Sequence, residues 1–209
     1  MRHLPLVITL VLVVAACNLS NKIKPANNSN SSSSSSSPAN DKPAPLEPAE
    51  KPNPTAAQLA TLENGQTVTW DQQGMTWTLP PNWKKQNASL NSFQAGGNGA
   101  FLIVSISAMD PSFPTEIGLR GFHEGAKTRE KNGEVSELKW LELDGQRGVE
   151  FRESKPEGED SPQRLQWMTY RKYANQTQSV NIILSSSAKN FPAHLDELYA
   201  ILFSTKLVH

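Results

Sequence analysis

Few residues in this 209-residue chain have the type and spacing that chemistry requires. The chain contains one cysteine, and no G-x-S-x-G motif marks a serine nucleophile. Beyond the N-terminus the histidines lie far apart, without the paired spacing of zinc ligands: His123, His194 and His209. His123-Glu124 lacks a second histidine four residues on, so we interpret it as a surface pair. We therefore predict no metal and no cofactor, and an enzyme is the least favoured class of function.

Two further motifs are better explained as turns than as ion sites. Glu157-Gly-Glu-Asp160 is acidic but lacks the ordered oxygen ligands of a calcium loop, so we predict a solvated hairpin tip. Gly96-Gly-Asn-Gly99 precedes a strand and not a helix, unlike a phosphate-binding loop. The chain has 20 Lys and Arg against 20 Asp and Glu. Since no basic block is present to bind phosphates, nucleic acid is not expected as a partner.

A stripe of glycines is the first candidate binding surface. Gly118, Gly121 and Gly125 lie at positions i, i+3 and i+7 of a predicted helix, Thr115–Asn132, and share one face of it. Each glycine in a helix costs up to about 1 kcal/mol relative to alanine, so the smooth face calls for an explanation. Two explanations remain open. Either the helix packs closely on the sheet or a loop, or the stripe forms a groove for a ligand or a partner chain.

Tryptophan side chains are the second candidate. Trp77 alternates with Met75 and Leu79 along a predicted strand and is expected in the core. Trp140 and Trp167 share their strands with charged neighbours, which is compatible with a half-open face. There they would stack on sugars such as peptidoglycan or other glycan chains. Burial in the core is the alternative for both.

The N-terminal residues carry the strongest signal for location. A basic start is followed by the apolar run Leu6–Val14, which is too short to span a bilayer core of about 30 Å comfortably. The next residues, Val14-Ala15-Ala16-Cys17, resemble the bacterial lipobox. This resemblance implies that residues 1–16 are a lipoprotein signal peptide and that Cys17 becomes the lipidated first residue of the mature protein.

Lipidation of Cys17 would determine where the protein resides. The lipobox resemblance implies a thioether-linked diacylglyceryl group and an N-acyl chain such as palmitate, and several acyl chains hold a protein on a membrane almost permanently. We therefore expect an extracytoplasmic protein of the cell envelope, bound to the membrane by its lipid anchor. In a Gram-negative cell, Asn18 in place of Asp favours the periplasmic side of the outer membrane. An ordinary secretory signal with an incidental cysteine is the alternative.

Residues 17–62 have the composition of a tether. An unbroken serine run, Ser31–Ser37, is followed by closely spaced prolines, and large apolar residues are almost absent. Such a segment buries too little apolar surface to offset the chain entropy lost on ordering. We predict a disordered Ser/Asn/Pro-rich spacer that separates the membrane from a single domain at residues 63–209.

Residues 63–209 show the hydrophobic periods of an α+β domain. Period-2 alternation predicts seven or eight strands, and 3.6-residue spacing predicts helices at Thr115–Asn132 and Phe191–Phe203. Asp144-Gly145 between two strands is a hairpin signal because glycine tolerates positive φ. The predicted strands are Thr67–Trp70, Met75–Leu79, Ser89–Phe93, Phe101–Ala108, Leu138–Leu143, Val149–Phe151, Leu165–Tyr173 and Val180–Leu184.

The order of these elements resembles the PsbP-like fold, which also occurs in bacterial lipoproteins and small proteins of the DcrB type. Three segments carry the resemblance: Gly74–Trp83 with its Pro-x-Trp turn, the strand pair around Leu143–Phe151, and the closing Leu198–Leu207. It implies an antiparallel β-sheet covered by helices, an α/β/α sandwich. Members of the family bind a small GTPase, support a photosystem or act as secretion chaperones. No functional motif of the family matches here, so none of these roles transfers.

The leading hypothesis is a non-enzymatic, lipid-anchored protein whose domain binds a protein partner in the envelope or assists an assembly there. The alternative is a small-ligand or glycan-binding lipoprotein, which would use the glycine stripe or the two tryptophans. An enzyme comes third because no acid/base or nucleophile constellation is present.

Overall fold

The computed structural model describes residues 46–208. The predicted signal peptide, the lipidation site Cys17 and the predicted tether up to residue 45 lie outside this range. Within it, no helix combines the length and the apolar character needed to cross a membrane.

Residues 46–208 form three α-helices, a 3-10 turn and ten strands. The helices are α1 (Ala56–Thr61), α2 (Thr115–Lys131) and α3 (Phe191–Phe203), and the 3-10 turn is Asp71–Gln73. The strands are β1 (Gln66–Trp70), β2 (Met75–Leu79), β3 (Lys84–Ala88), β4 (Ser92–Gly97), β5 (Ala100–Ala108), β6 (Val135–Leu143), β7 (Gln146–Glu153), β8 (Pro162–Tyr173), β9 (Gln176–Ser187) and β10 (Lys206–Leu207).

Seven of the described strands form one antiparallel sheet in the order β3-β4-β5-β9-β8-β7-β6, and β1, β2 and β10 form a smaller sheet. The β6–β7 hairpin turns at Asp144-Gly145, as the sequence predicts. Both residues have positive φ, +49° and +83°. Leu143 and Gln146 therefore pair directly across a two-residue turn.

The large sheet separates two apolar cores. One face packs against α3 and the small sheet, around fully buried side chains such as Trp77, Phe93 and Trp167. The opposite face packs against α2 over β6, β7 and β8, where Val149 and Phe151 are buried. Helices cover an antiparallel sheet from both sides, which confirms the predicted α+β class.

The sequence predicts both long helices and misses β3. Helix α2 ends one residue before the predicted end, and Gly133 follows with φ of +70°. Strand β3 forms one edge of the large sheet, and Lys84–Asn87 are exposed. An edge strand that is exposed along almost its whole length needs no alternation of apolar and polar residues. Hydrophobic periodicity therefore does not predict it.

Ordered structure begins earlier than the sequence indicates. The predicted tether runs to residue 62, but α1 forms within it and packs against α3. Its first turn is fixed by a capping box: Gln58 N donates to the Thr55 hydroxyl, and Thr55 N donates to the Gln58 side chain. Because α1 has no buried residue, hydrophobic periodicity gives no sign of it. The tether prediction now concerns residues 17–45, outside the described range.

Candidate functional site

The two tryptophans predicted on a half-open face are both buried. Trp167 is 0% exposed and donates its indole N–H to the Leu141 carbonyl oxygen at 3.0 Å. Trp140 is 5% exposed, and its ring stacks on that of His123 at 4.4 Å between centroids. The prediction of exposed stacking platforms is therefore wrong. Strands β6 and β8 carry apolar layers on both faces, so the charged neighbours of these tryptophans do not mark an open surface.

His123 is likewise not the surface residue that the sequence predicts. Its side chain is buried beneath Trp140, with 8% of the residue exposed, and its Nδ1 lies 3.8 Å from Glu124 Oε1. Among the described residues, no group of three or more His, Cys, Asp or Glu side chains is placed to hold a metal ion. His123 is part of the α2 packing layer.

The glycine stripe of α2 does not line a groove. A Cβ at Gly118 would lie 2.7 Å from the Phe113 ring, so close packing explains this glycine. At Gly121 and Gly125 an added Cβ would have no neighbour within 4 Å, because both residues face solvent. A cavity of about 360 Å³ at this end of the helix is lined by Thr115, Glu116 and Leu119 and by none of the three glycines. The packing explanation holds at Gly118 alone.

The large sheet leaves part of its α2 side uncovered, a surface that the sequence analysis missed. Helix α2 packs on β6, β7 and β8. On β4, β5 and β9 the side chains that alternate with the core residues point to the same side as α2. We call this surface the open face, and it consists of Ser92, Gln94, Phe101, Ile103, Ser105, Ser107, Ser179, Asn181 and Ile183. Each of these side chains is uncharged.

Phe101 is the most prominent side chain of the open face. It is 42% exposed, whereas Ile103 and Ile183 beside it are half-buried. Phe101 pairs with Gly96 on β4, where an added Cβ would lie 2.9 Å from Phe101 Cδ1. The ring therefore packs over the glycine and is held against the sheet. This gives the open face an ordered aromatic group that costs little side-chain entropy when a partner binds.

A buried polar cluster joins the 3-10 turn to the large sheet. Arg171 donates to the Gln73 carbonyl oxygen at 2.7 Å and to the Gln178 side-chain oxygen at 3.2 Å. The Tyr173 ring lies 4.5 Å from the guanidinium carbon. Burial lowers the pKa of Arg171, although Tyr173 opposes this shift. Neutral acceptors and an aromatic ring surround this cation, so the cluster is suited to holding the 3-10 turn against β8 and β9.

A second polar cluster is centred on Glu150. Its side chain is fully buried, accepts a hydrogen bond from the Tyr199 hydroxyl at 3.0 Å and lies 3.4 Å from Lys139 Nζ. Burial raises the pKa of Glu150, and the attraction of Lys139 opposes the shift. Burial also raises the pKa of Tyr199, so the phenol remains a hydrogen-bond donor. A buried carboxyl with a raised pKa is a feature of some active sites, but the side chain of Glu150 is not exposed to a substrate.

Charged side chains also surround a cavity of about 360 Å³ at the end of β7 and the start of β8. Glu153 accepts two hydrogen bonds from Arg164, both at 3.1 Å, and Arg129 stacks on the Phe151 ring at 5.2 Å. The acidic segment Glu157–Asp160 joins the two strands at this point and is exposed, as expected of a hairpin tip. Cations and carboxylates neutralise each other here, so the cavity has no strong preference for either charge.

No protein-family model matches the chain, and no curated protein matches it significantly. Several solved structures do match the chain. A protein of Bacteroides thetaiotaomicron is 10% identical with a TM-score of 0.45, covering 69% of this chain, which spans only 49% of that protein. Cyanobacterial PsbP from Synechocystis is 15% identical over 69% of this chain and 92% of its own, with a TM-score of 0.43.

LpqN of Mycobacterium tuberculosis, which is involved in cell envelope biogenesis, has the same TM-score of 0.43 at 13% identity, covering 69% of this chain and 91% of its own. Since every TM-score is below 0.5, the likeness says nothing about function.

Proposed function

We propose that this protein is a lipid-anchored component of the cell envelope whose folded domain binds a protein partner through the open face. The observation that carries the proposal is the exposed Phe101, held over Gly96 at one end of a surface of uncharged side chains. The two candidates named from the sequence do not compete with it: the tryptophans of the glycan hypothesis are buried, and the glycine stripe lines no groove. The domain is non-enzymatic in this proposal: Glu150, a carboxyl whose pKa is raised by burial, is closed to substrate.

The open face also indicates the chemistry of its partner. Phe101, Ile103 and Ile183 form a small apolar patch at one end of the open face, and the serine, asparagine and glutamine side chains beside them supply hydrogen bonds. Protein interfaces likewise combine apolar contacts with polar side chains that hydrogen-bond beside them. The nine side chains of the open face are uncharged, whereas Lys84 and Arg164 continue the row of Phe101 on either side through Gly96 and Ser185. The partner is therefore expected to be neutral opposite the open face itself. A charge placed opposite these nine side chains would lose hydration without gaining an ion pair.

The anchor brings the domain to its partner. Several acyl chains on Cys17 confine the protein to one membrane surface, and the tether lets the domain reach away from the lipid. Restriction to a surface raises the local concentration, so a face of modest area is sufficient for binding. The proposed location is extracytoplasmic, on the periplasmic side of the outer membrane in a Gram-negative cell.

Mass spectrometry of the protein made in its native host tests the anchor. We expect a mature chain that begins at an acylated Cys17, and Cys17→Ser is expected to move the protein out of the membrane fraction. Ser20→Ala is the control and should leave fractionation unchanged. An uncleaved N-terminus or an unmodified thiol would refute the anchor.

Site-specific photocrosslinking tests the open face. A benzophenone side chain at Phe101 or Ile183 should capture one exported protein, while the same probe at Leu90 or Ile117 should not. Leu90 and Ile117 are controls because they are 68% and 57% exposed but lie outside the open face. The captured protein, once purified, should bind the wild-type chain at least tenfold more tightly than it binds the Phe101→Asp variant. Equal capture at all four positions, or equal binding by the variant, contradicts the proposal.

A further inference from the structure

Residues 46–54, which we call the strap, cross the outer edge of β6. Glu50 N donates to the Trp140 carbonyl oxygen at 2.8 Å, and Glu142 N donates to the Glu50 carbonyl oxygen at 2.8 Å. The pair forms a parallel bridge between Glu50 and Leu141. Strand β6 is the last strand of the large sheet, so the strap occupies an edge that would otherwise be open.

Two prolines limit this pairing to one residue. In a parallel ladder the residues two before and two after Glu50 would present the next N–H groups to β6. These residues are Pro48 and Pro52, and neither has an N–H to donate. Trp140 N–H and Glu142 C=O point to the same side as the groups that bond Glu50, yet no backbone hydrogen bond joins either of them to the strap. The strap uses only part of the hydrogen-bonding capacity of the edge.

Lys139 places a fixed positive charge beside this edge. Its Nζ lies 3.5 Å from Glu50 Oε2 and 3.4 Å from Glu150 Oε2. Glu150 is fully buried, whereas the Glu50 side chain is 66% exposed. The buried carboxylate therefore holds the ammonium in place whether or not the strap is bound. Any strand lying on this edge meets a cation at the position opposite Glu50.

The exposed part of the strap contributes little to its attachment. The Lys51 side chain is 81% exposed, and its ion pair with Glu142 is 3.8 Å long. Exposed ion pairs contribute about 0–1 kcal/mol each. The apolar attachment comes from Leu46 and Ala49, which are partly buried against the α2 core. A competitor that makes more backbone hydrogen bonds is able to displace such a segment.

We propose that the outer edge of β6 is a strand-addition site for an extended peptide segment of a partner protein, with a carboxylate opposite Lys139. The strap occupies the site when that segment is absent. In a segment without prolines at the two alternate positions, the N–H at the position of Pro52 donates to Glu142 C=O. A backbone not fixed at the φ of proline also lets the carbonyl at the position of Pro48 accept from Trp140 N–H, so the segment replaces the strap. The inference rests on the proposed protein-binding role but uses a different surface from the open face. Crosslinking at Phe101 and peptide binding at β6 can therefore fail separately.

Labelled nonapeptides and the full chain test the site by fluorescence anisotropy. The first peptide has the sequence of residues 45–53, and the second has threonine at the positions of Pro48 and Pro52. A third, charge-reversed peptide also has lysine at the position of Glu50. Glu50→Pro frees the edge because it removes both the donor to Trp140 and the carboxylate. Glu47→Pro is the matched control, since no backbone hydrogen bond of Glu47 is part of the bridge.

The threonine peptide should bind the Glu50→Pro chain at least tenfold more tightly than it binds the wild-type or the Glu47→Pro chain. It should also bind Glu50→Pro more tightly than the first peptide does. The charge-reversed peptide should bind at least tenfold more weakly than the threonine peptide. Lys139→Glu should reverse the preference between these two peptides. No binding to Glu50→Pro, or binding that ignores the peptide charge, overturns the proposal. Self-association of Glu50→Pro without peptide binding also overturns it, because the strap would then only protect the edge against aggregation.

Hydrogen exchange on the wild-type chain keeps the test decisive if Glu50→Pro unfolds. Millimolar threonine peptide should slow exchange of the Trp140 amide at least tenfold, because this N–H then donates to the peptide carbonyl at the position of Pro48, a hydrogen bond that the strap does not make. The charge-reversed peptide is the control. Unchanged exchange at Trp140 with the threonine peptide contradicts strand addition.

Discussion

Gly148 lies directly against the indole ring of Trp167. A Cβ at Gly148 would come within 2.4 Å of Trp167 Cε2, closer than side-chain carbons approach in proteins. The same indole donates to the Leu141 carbonyl oxygen at 3.0 Å, and Leu141 pairs with Gly148 across the β6–β7 ladder. The ring thus packs across two neighbouring strands, and a glycine is needed on one of them to make room.

Gly148→Ala should lower the free energy of unfolding by about 1–3 kcal/mol, because overpacking a filled core forces side chains off their rotamers or moves the backbone. Urea titration followed by tryptophan fluorescence measures the loss. Trp167→Phe in the same background should recover part of it by shortening the ring. A fully stable Gly148→Ala protein would contradict the tight contact.

Gly121→Ala and Gly125→Ala should each raise the free energy of unfolding by about 0.5–1 kcal/mol, since alanine restricts the unfolded chain and both sites face open space in α2. Gly118→Ala is the contrasting variant. Its new methyl group would meet the Phe113 ring at 2.7 Å, so it should gain less or lose stability. Thermal unfolding of the three variants compares them. Loss of stability at Gly121 and Gly125 would mean that another chain packs on the stripe.

Glu150→Gln should change how stability depends on pH. Burial raises the folded-state pKa of Glu150 above its ordinary value of 4.5, in spite of Lys139 and Tyr199, which lower it. The proton is therefore bound more tightly in the folded state, and the stability it contributes is complete below pH 4.5 and is lost as pH rises through the folded pKa.

Since glutamine does not titrate, the difference in unfolding free energy between Glu150→Gln and wild type should shift in favour of the variant as pH rises from 4.5 and then level off. Urea titrations at several pH values measure this difference. The same substitution at the exposed Glu63 is the control. A difference that moves in the opposite direction would show that the Lys139 ion pair outweighs burial.

Glu197→Ala should lower the free energy of unfolding by about 1–3 kcal/mol, because it leaves a buried donor unpaired. Glu197 Oε1 accepts the indole N–H of the fully buried Trp83 at 2.6 Å, and its Oε2 lies 2.8 Å from His194 Nδ1. A double-mutant cycle with Trp83→Phe isolates the indole hydrogen bond. Additive effects in that cycle would show that this bond contributes nothing.

Sequence periodicity predicted the elements that bury one regular face. Local spacing of apolar residues and turn residues predicts both long helices, the β6–β7 hairpin and most of the large sheet. These elements are Thr115–Lys131, Phe191–Phe203 and the turn at Asp144-Gly145, with the strands named above. The exposed edge strand β3, the helix α1 and the strap were not predicted. These segments are held by partners far along the chain and bury little surface of their own.

By itself the sequence determined the α+β class, the absence of a catalytic motif and the prediction of an acylated Cys17, because each depends on residue type and local spacing. Only the tertiary structure decided which side chains face solvent. Trp140 and Trp167 became buried because their strands lie between two packed layers, and Phe101 became exposed because α2 ends its coverage at β8. Exposure depends on which elements meet across the sheet, and such long-range contacts leave no periodic signal in the sequence.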